Sequence, residues 1–291
     1  NLTHSGTGQF TIALTSTCTG TFTVNSGAIL SGAATSALGV GPLVLNSGCT
    51  LKKDANARTF NNSSYTLSGS VTIDPNTSGT MTLGTGGAVF AASTTINVTQ
   101  GQVTFNVLTS ESGGGGWDLI KTGAGQSHFA AGSSTRTGNV YILAGILSSG
   151  ATTALGSAGT VFLGDTTGSN TAQYNIATAN NTRPLTVRAG SSGQKTLTRN
   201  SNNPQLSATL TLDDDLYLNT GNGAFTLTGT VTGAGTLHAI SSGGSIGISG
   251  ATHSGWTGGI SGDSSSCVVT LSGGATGASG TAAITTLSSF G

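Results

Sequence analysis

The stretch LIKTGAGQ at residues 119–126 restates LTHSGTGQ at residues 2–9, 117 positions upstream. Leu2, Gly6, Gly8 and Gln9 return as Leu119, Gly123, Gly125 and Gln126, and Ala37-Leu38-Gly39 returns as Ala154-Leu155-Gly156. A shorter third copy opens at Thr232-Gly233-Ala234-Gly235 and reaches Thr257-Gly258, where the other two have Thr19-Gly20 and Thr137-Gly138. Repetition of this kind marks quasi-one-dimensional stacking, in which each unit buries its apolar face on the next. The expected organisation is one elongated array over 1–291, with units at about 1–116, 117–231 and 232–291.

Short-range patterning identifies the element that is stacked. From Tyr65 to Ile73, Tyr65, Leu67, Val71 and Ile73 share one parity while Thr66, Ser68, Ser70 and Thr72 take the other. That is the alternation of a strand with one buried face. It recurs at Phe225, Leu227 and Val231, and in shorter form at Phe22 and Val24, at Val103, Phe105 and Val107, and at Leu210 and Leu212. Between these runs lie Asn25-Ser26-Gly27, Asn46-Ser47-Gly48, Gly113 to Gly116 and Asn219 to Gly223, turn sequences whose Gly and Asn tolerate positive φ. Short strands at regular spacing suit either an antiparallel sandwich or barrel, or a parallel solenoid. The repeat decides, because a sandwich closes on itself whereas a solenoid adds coils indefinitely. The predicted fold is all-β, a right-handed parallel β-helix of about fourteen coils of roughly 20 residues.

Composition agrees and removes several function classes. Charged residues make up 6% of the 291, with 9 Lys+Arg balancing 9 Asp+Glu, against roughly 25% in an average soluble domain. Without a basic excess there is no electrostatic footprint for a phosphate backbone or an anionic membrane surface, so neither nucleic acid nor membrane is expected as a partner. The 48 Gly and abundant Thr and Ser disfavour helix. No apolar run approaches the ~18 to 20 residues of a membrane helix; the longest, Val140 to Leu147, is broken by Gly145. The chain opens at Asn1 with neither Met nor a basic region and an apolar one, so any secretion signal is expected to have been removed or to lie outside this segment.

Lys121-Thr122-Gly123-Ala124-Gly125, then 137–147 (TGNVYILAGIL), then Ala154-Leu155-Gly156 resemble the passenger-associated repeat of bacterial autotransporters. The matching residues of the first copy are Ser5-Gly6-Thr7-Gly8, residues 19–30 (TGTFTVNSGAIL) and Ala37-Leu38-Gly39. The resemblance implies a secreted, surface-displayed parallel β-helix. Its expected role is structural and not enzymatic: the shaft of a bacterial surface adhesin, or the protomer of a self-assembling extracellular filament or sheath. Its expected partners are further copies, added head-to-tail or laterally, and surface glycans.

Few residues offer chemistry, and no catalytic set or cofactor is expected. Asp213-Asp214-Asp215 is the candidate Ca²⁺ cluster, hard oxygen ligands in a run, with a solvated turn as the competing reading. A polysaccharide-binding or polysaccharide-cleaving β-helix would combine such carboxylates with Arg183, Arg188, Lys195 or Arg199 upstream. Thr-x-Thr tracts at Thr19 to Thr23, Thr209 to Thr211 and Thr226 to Thr232 raise an ice-binding solenoid, although their spacing is irregular. His4, His128, His238 and His253 read as loop histidines. Trp117 and Trp256 are candidate sugar platforms, with Trp256 in a variable solvent-facing turn position that Cys18 and Arg136 take in the other copies. Cys18 and Cys49 are the disulfide candidate, leaving Cys267 free; the alternative is that all three are small buried residues.

Overall fold

The computed structural model describes residues 1–77, 79–176, 181–199, 203–241, 243–249, 253, 255–263, 267–272 and 284–285. No helix occurs among them, and the strands pair in parallel throughout, stacked as a β-solenoid of about 12 turns. One turn takes 20 to 25 residues. Fewer and longer coils than the expected fourteen result, because corner segments such as 112–118 lengthen the path between strands. The solenoid divides into two compact units, Asn1–Val140 with Gly145–Ala158, and Tyr141–Ala144 with Gly159–Gly291.

Three ladders build the first unit. Leu2–His4, Phe22–Val24 and Leu43–Leu45 climb one, while Gln9–Ile12, Ile29–Gly32 and Thr50–Lys53 climb a second. Both ladders run into the long strands Ser64–Asp74 and Gly87–Val98. Gly69, at φ +67°, lets the first of these turn the corner with its parity intact, so Tyr65, Leu67, Val71 and Ile73 are all buried. The third ladder stacks Arg58–Phe60, Thr80–Leu83, Gln102–Phe105, Gln126–Phe129 and Gly145–Ser149.

In-register stacking makes the core one column per position. Leu30, Leu51 and Ile73 succeed one another on adjacent turns, all fully buried, and Phe105 stacks on Phe129 with centroids 4.6 Å apart. Each such side chain contributes roughly 1.5 to 3 kcal/mol of burial. The second unit repeats the plan. One of its ladders holds Val161–Leu163, Leu185–Val187, Leu210–Leu212 and Val231–Gly233; a second holds Ala172–Ile176, Lys195–Arg199, Leu216–Asn219, Leu237–Ala239 and Ile260–Gly262. Phe225 and Val231, expected to share one strand, fall in Ala224–Leu227 and Val231–Gly233, on different ladders.

The two long sequence copies share local structure but not a face. Leu2–His4 lies on the first ladder, whereas Leu119–Thr122 pairs with the later half of Gly87–Val98, Ile96 facing Lys121, on the second. Five turns from Leu2, through Phe22, Leu43, Tyr65 and Ala88, end at Thr109, so a copy that begins at Leu119 arrives past that position, rotated by one face. Its ALG corner is nonetheless preserved. Ala37 and Ala154 are buried, and Gly39 and Gly156 have φ of +75° and +98°.

Candidate functional site

Lys195, Asp214, Asp215, His238 and Asp263 gather at one corner of the second unit. Lys195 opens the strand Lys195–Arg199 facing inward, and its stem packs where a Cβ on Gly164 would come within 2.9 Å of its Cγ and Cε. Gly164 also has φ +97°, so a side chain there is excluded twice over. The Lys195 ammonium leaves the core at its tip, donating to the Ser191 carbonyl at 2.6 Å and to Asp214 Oδ2 at 2.7 Å. One residue on, Asp215 Oδ1 accepts the Thr236 amide at 2.8 Å.

Beside this pair His238 bridges two turns. Its Nδ1 is 2.8 Å from Asp263 Oδ2 and its Nε2 is 3.5 Å from Asp215 Oδ2, while its ring stacks on its register partner Tyr217 at 4.5 Å. The Ser261 hydroxyl donates to the other oxygen of Asp263; that bond, against the opposing effect of burial and with help from His238, holds the Asp263 carboxyl below its ordinary pKa. Ser191, Gln194, Lys195, Asp214 and Tyr217 line an adjoining cavity of about 190 Å³. Chemically the corner offers an ammonium, paired carboxylates, an oriented imidazole and an aromatic face.

The Asp run does not form a Ca²⁺ cage. Asp213 is exposed, Asp214 answers Lys195, and Asp215 answers Thr236 and His238, so the carboxylates diverge. The run occupies the bend between the strands Leu210–Leu212 and Leu216–Asn219, the turn that was the competing reading. Among the described residues, no group of three or more His, Cys, Asp or Glu is placed to hold a metal ion. Of the basic residues upstream, Lys195 reaches the run, whereas Arg188 lies 5.6 Å over the Tyr141 ring and Arg199 donates to the Thr220 carbonyl.

The position before Thr-Gly is exposed in the first copy, at Cys18, but differs from the expected solvent-facing turn in the other two. Arg136 is fully buried and Trp256 is 3% exposed. Each donates to a main-chain carbonyl of the preceding coil: Arg136 Nη2 to Trp117 at 2.8 Å, and Trp256 Nε1 to Gly235 at 3.0 Å. The glycine two residues later sits against that same carbonyl, where a Cβ on Gly138 or Gly258 would approach to 2.0 or 1.9 Å. Indole and guanidinium are interchangeable here because both carry an N–H at the end of a long planar group. Neither Trp256 nor Trp117, whose Nε1 donates to the Ser112 carbonyl at 2.9 Å, is a free-standing platform.

Glu111 was missed by sequence reasoning. Its carboxylate accepts from the amides of Gly116 and Gly138 and from the Thr137 hydroxyl, at 2.9 to 3.0 Å, which pins the Gly113 to Gly116 segment. Burial raises its pKa, but these donors outweigh that effect and hold it below the ordinary glutamate value. Its rarity was the available signal, for it is the sole glutamate of the chain.

The cysteines and histidines also need correction. Cys18, Cys49 and Cys267 are all free thiols; Cys18 is exposed on an irregular segment, while Cys49 faces the core, so neither the disulfide nor the uniformly buried alternative holds. His4, His128 and His238 lie in strands. His253, 2% exposed, accepts the Val231 amide at Nδ1, and burial lowers its pKa and that of His128. Compared with protein-family models, curated proteins and solved structures, the chain matches none.

Proposed function

We propose that the chain is an extracellular structural solenoid, the shaft of a bacterial surface adhesin or the protomer of a self-assembling filament or sheath. The observation that carries this reading is the outward face of the ladders. Thr59, Thr82 and Thr104 occupy one register on three successive turns, as do Thr186, Thr211 and Thr232. Asn46 donates to Asn25 and Asn25 to Ser5, both at 2.8 Å, which extends an amide and hydroxyl ladder across three turns. Such a surface stiffens the stack along its axis and lacks the net charge that keeps soluble proteins apart.

In a filament the expected contact is head-to-tail, because a contact of that kind that does not close into a ring makes a fibre. The resemblance to the autotransporter passenger repeat supports surface display. Electron microscopy of native material tests the reading: continuous fibres with a ~4.8 Å axial repeat are expected of a filament, and short separate rods of a shaft. A compact, non-elongated particle would reject both.

A second reading, a polysaccharide-binding or polysaccharide-cleaving β-helix, is favoured by the ionic corner at Lys195, Asp214 and His238. It requires Ca²⁺-dependent release of unsaturated or reducing products from polyuronates, lost in Asp214→Ala. Unchanged polyuronate after prolonged incubation rejects cleavage.

A further inference from the structure

We infer that the first unit carries a groove for a linear, uncharged oligosaccharide lying along the solenoid axis. Strand register places Thr11, Ser31, Lys52 and Asp74 directly above one another on four successive turns. Gln100, on the fifth, donates its Nε2 to Asp74 Oδ1 at 3.1 Å, and Gln9 donates to Thr11 at 3.0 Å. These six side chains are the working surface of a groove of about 450 Å³. That volume lies within the range of small-molecule sites.

Charge placement makes the groove more than a surface dent. In a chain that has replaced charge almost everywhere with Thr, Ser and Asn, Lys52, Lys53, Asp54, Arg58 and Asp74 fall within 23 consecutive residues. Two of the three cations hold the two carboxylates in ion pairs. Lys52 Nζ is 3.2 Å from Asp74 Oδ2, Arg58 holds Asp54 through two N–H groups, and the Lys53 amine is turned inward to cap the Asp54 carbonyl at 3.0 Å. An anionic or cationic ligand would have to break these pairs, whereas a neutral polar one need not.

The remaining hydrogen-bond capacity selects the class of ligand. Gln9 and Gln100 each keep an amide oxygen and a second N–H, Lys52 keeps N–H donors, and Thr11 and Ser31 supply hydroxyls. Planar amide and carboxylate groups match pairs of vicinal hydroxyls. Among the described residues no aromatic side chain lines the groove, so a sugar is held by its hydroxyl edge and not by its face. Turns repeat at ~4.8 Å, close to the advance of one pyranose in an extended chain, so each sugar meets one turn. An extended peptide, advancing ~3.3 Å per residue, falls out of step with these turns.

Isothermal titration of the full chain with cellohexaose, maltohexaose and chitohexaose tests the proposal, with glucose and hexagalacturonate for comparison. At least one neutral hexasaccharide is expected to bind, with glucose weaker by about tenfold or more. Lys52→Ala and Gln100→Ala should each weaken binding by about tenfold while the chain stays folded, as circular dichroism checks, because each half-buried side chain makes one ionic or polar contact to Asp74 and none with the apolar core. Failure of all three neutral hexasaccharides at millimolar concentration, tighter binding of hexagalacturonate, or wild-type affinity in both variants would overturn it. These readouts are independent of fibre formation, so the scaffold reading stands or falls separately.

Discussion

Arg136 Nε lies 4.0 Å from Glu111 Oε1 inside the first unit, with side chains 0% and 4% exposed. The guanidinium also sits 4.7 Å from the centroid of the Phe90 ring. Its planar charge is therefore matched by a carboxylate, a carbonyl and a π face at once. Removing the side chain loses the hydrogen bond to the Trp117 carbonyl and the Phe90 contact and leaves a void in the core, while Glu111 keeps its donors from Gly116, Thr137 and Gly138. Arg136→Ala should destabilise the first unit by about 2 to 5 kcal/mol, measured by urea unfolding, with Glu111→Gln costing less because its amide keeps one acceptor oxygen.

The same carboxylate gives an acid limit. Because the Glu111 pKa is lowered on folding from 4.5, its contribution is complete above the unfolded value and is lost as pH falls through the folded one. Acid titration followed by circular dichroism should show a component below pH 4.5 that Glu111→Gln removes.

Lys121 produces a slope on the alkaline side. It is fully buried, its amine donates to the carbonyls of Thr122 and Gly123, and burial lowers its pKa from 10.5 to about 7. Below pH 7 both states hold the proton; above it the unfolded chain holds one that the folded chain lacks, so stability rises with pH. Between pH 7 and 9 the slope should approach about 1.4 kcal/mol per pH unit and vanish in Lys121→Met. Past pH 9 the Cys49 thiol, pushed up to about 11 by burial, acts in the opposite direction.

Gly156→Ala should be costly. Its φ is +98°, and an added Cβ would stand 2.1 Å from the Arg136 carbonyl oxygen. A loss of at least about 1 to 3 kcal/mol is expected in thermal or urea unfolding. Gly8→Ala, with nothing within 4 Å of the added carbon, is the matched control and should change little.

Thiol titration of the native chain should find one fast group, Cys18, and two slow ones. Cys49 and Cys267 are buried, and burial raises the pKa of both. All three should react in denaturant without prior reduction. Mass spectrometry of alkylated peptides identifies the fast site.

Tyr65 to Ile73 was legible as a strand because alternation is local: each residue's parity is set by its neighbours and needs no partner. Turn positions at Gly27, Gly48 and Gly39 were legible for the same reason, since positive φ is a single-residue demand that Gly meets. Together with the 117-residue repeat, these signals determined a parallel solenoid before any coordinate was known. Which residues meet across turns was decided by tertiary structure alone. Contacts such as Lys195 with Asp214, His238 with Asp263, and Thr11 with Ser31, Lys52 and Asp74 depend on how many residues each turn consumes. That number varies from 20 to 25 with corner loops that have no periodic signature. The same variation rotates the second sequence copy onto another face and buries Arg136 where the local pattern reads as an exposed turn.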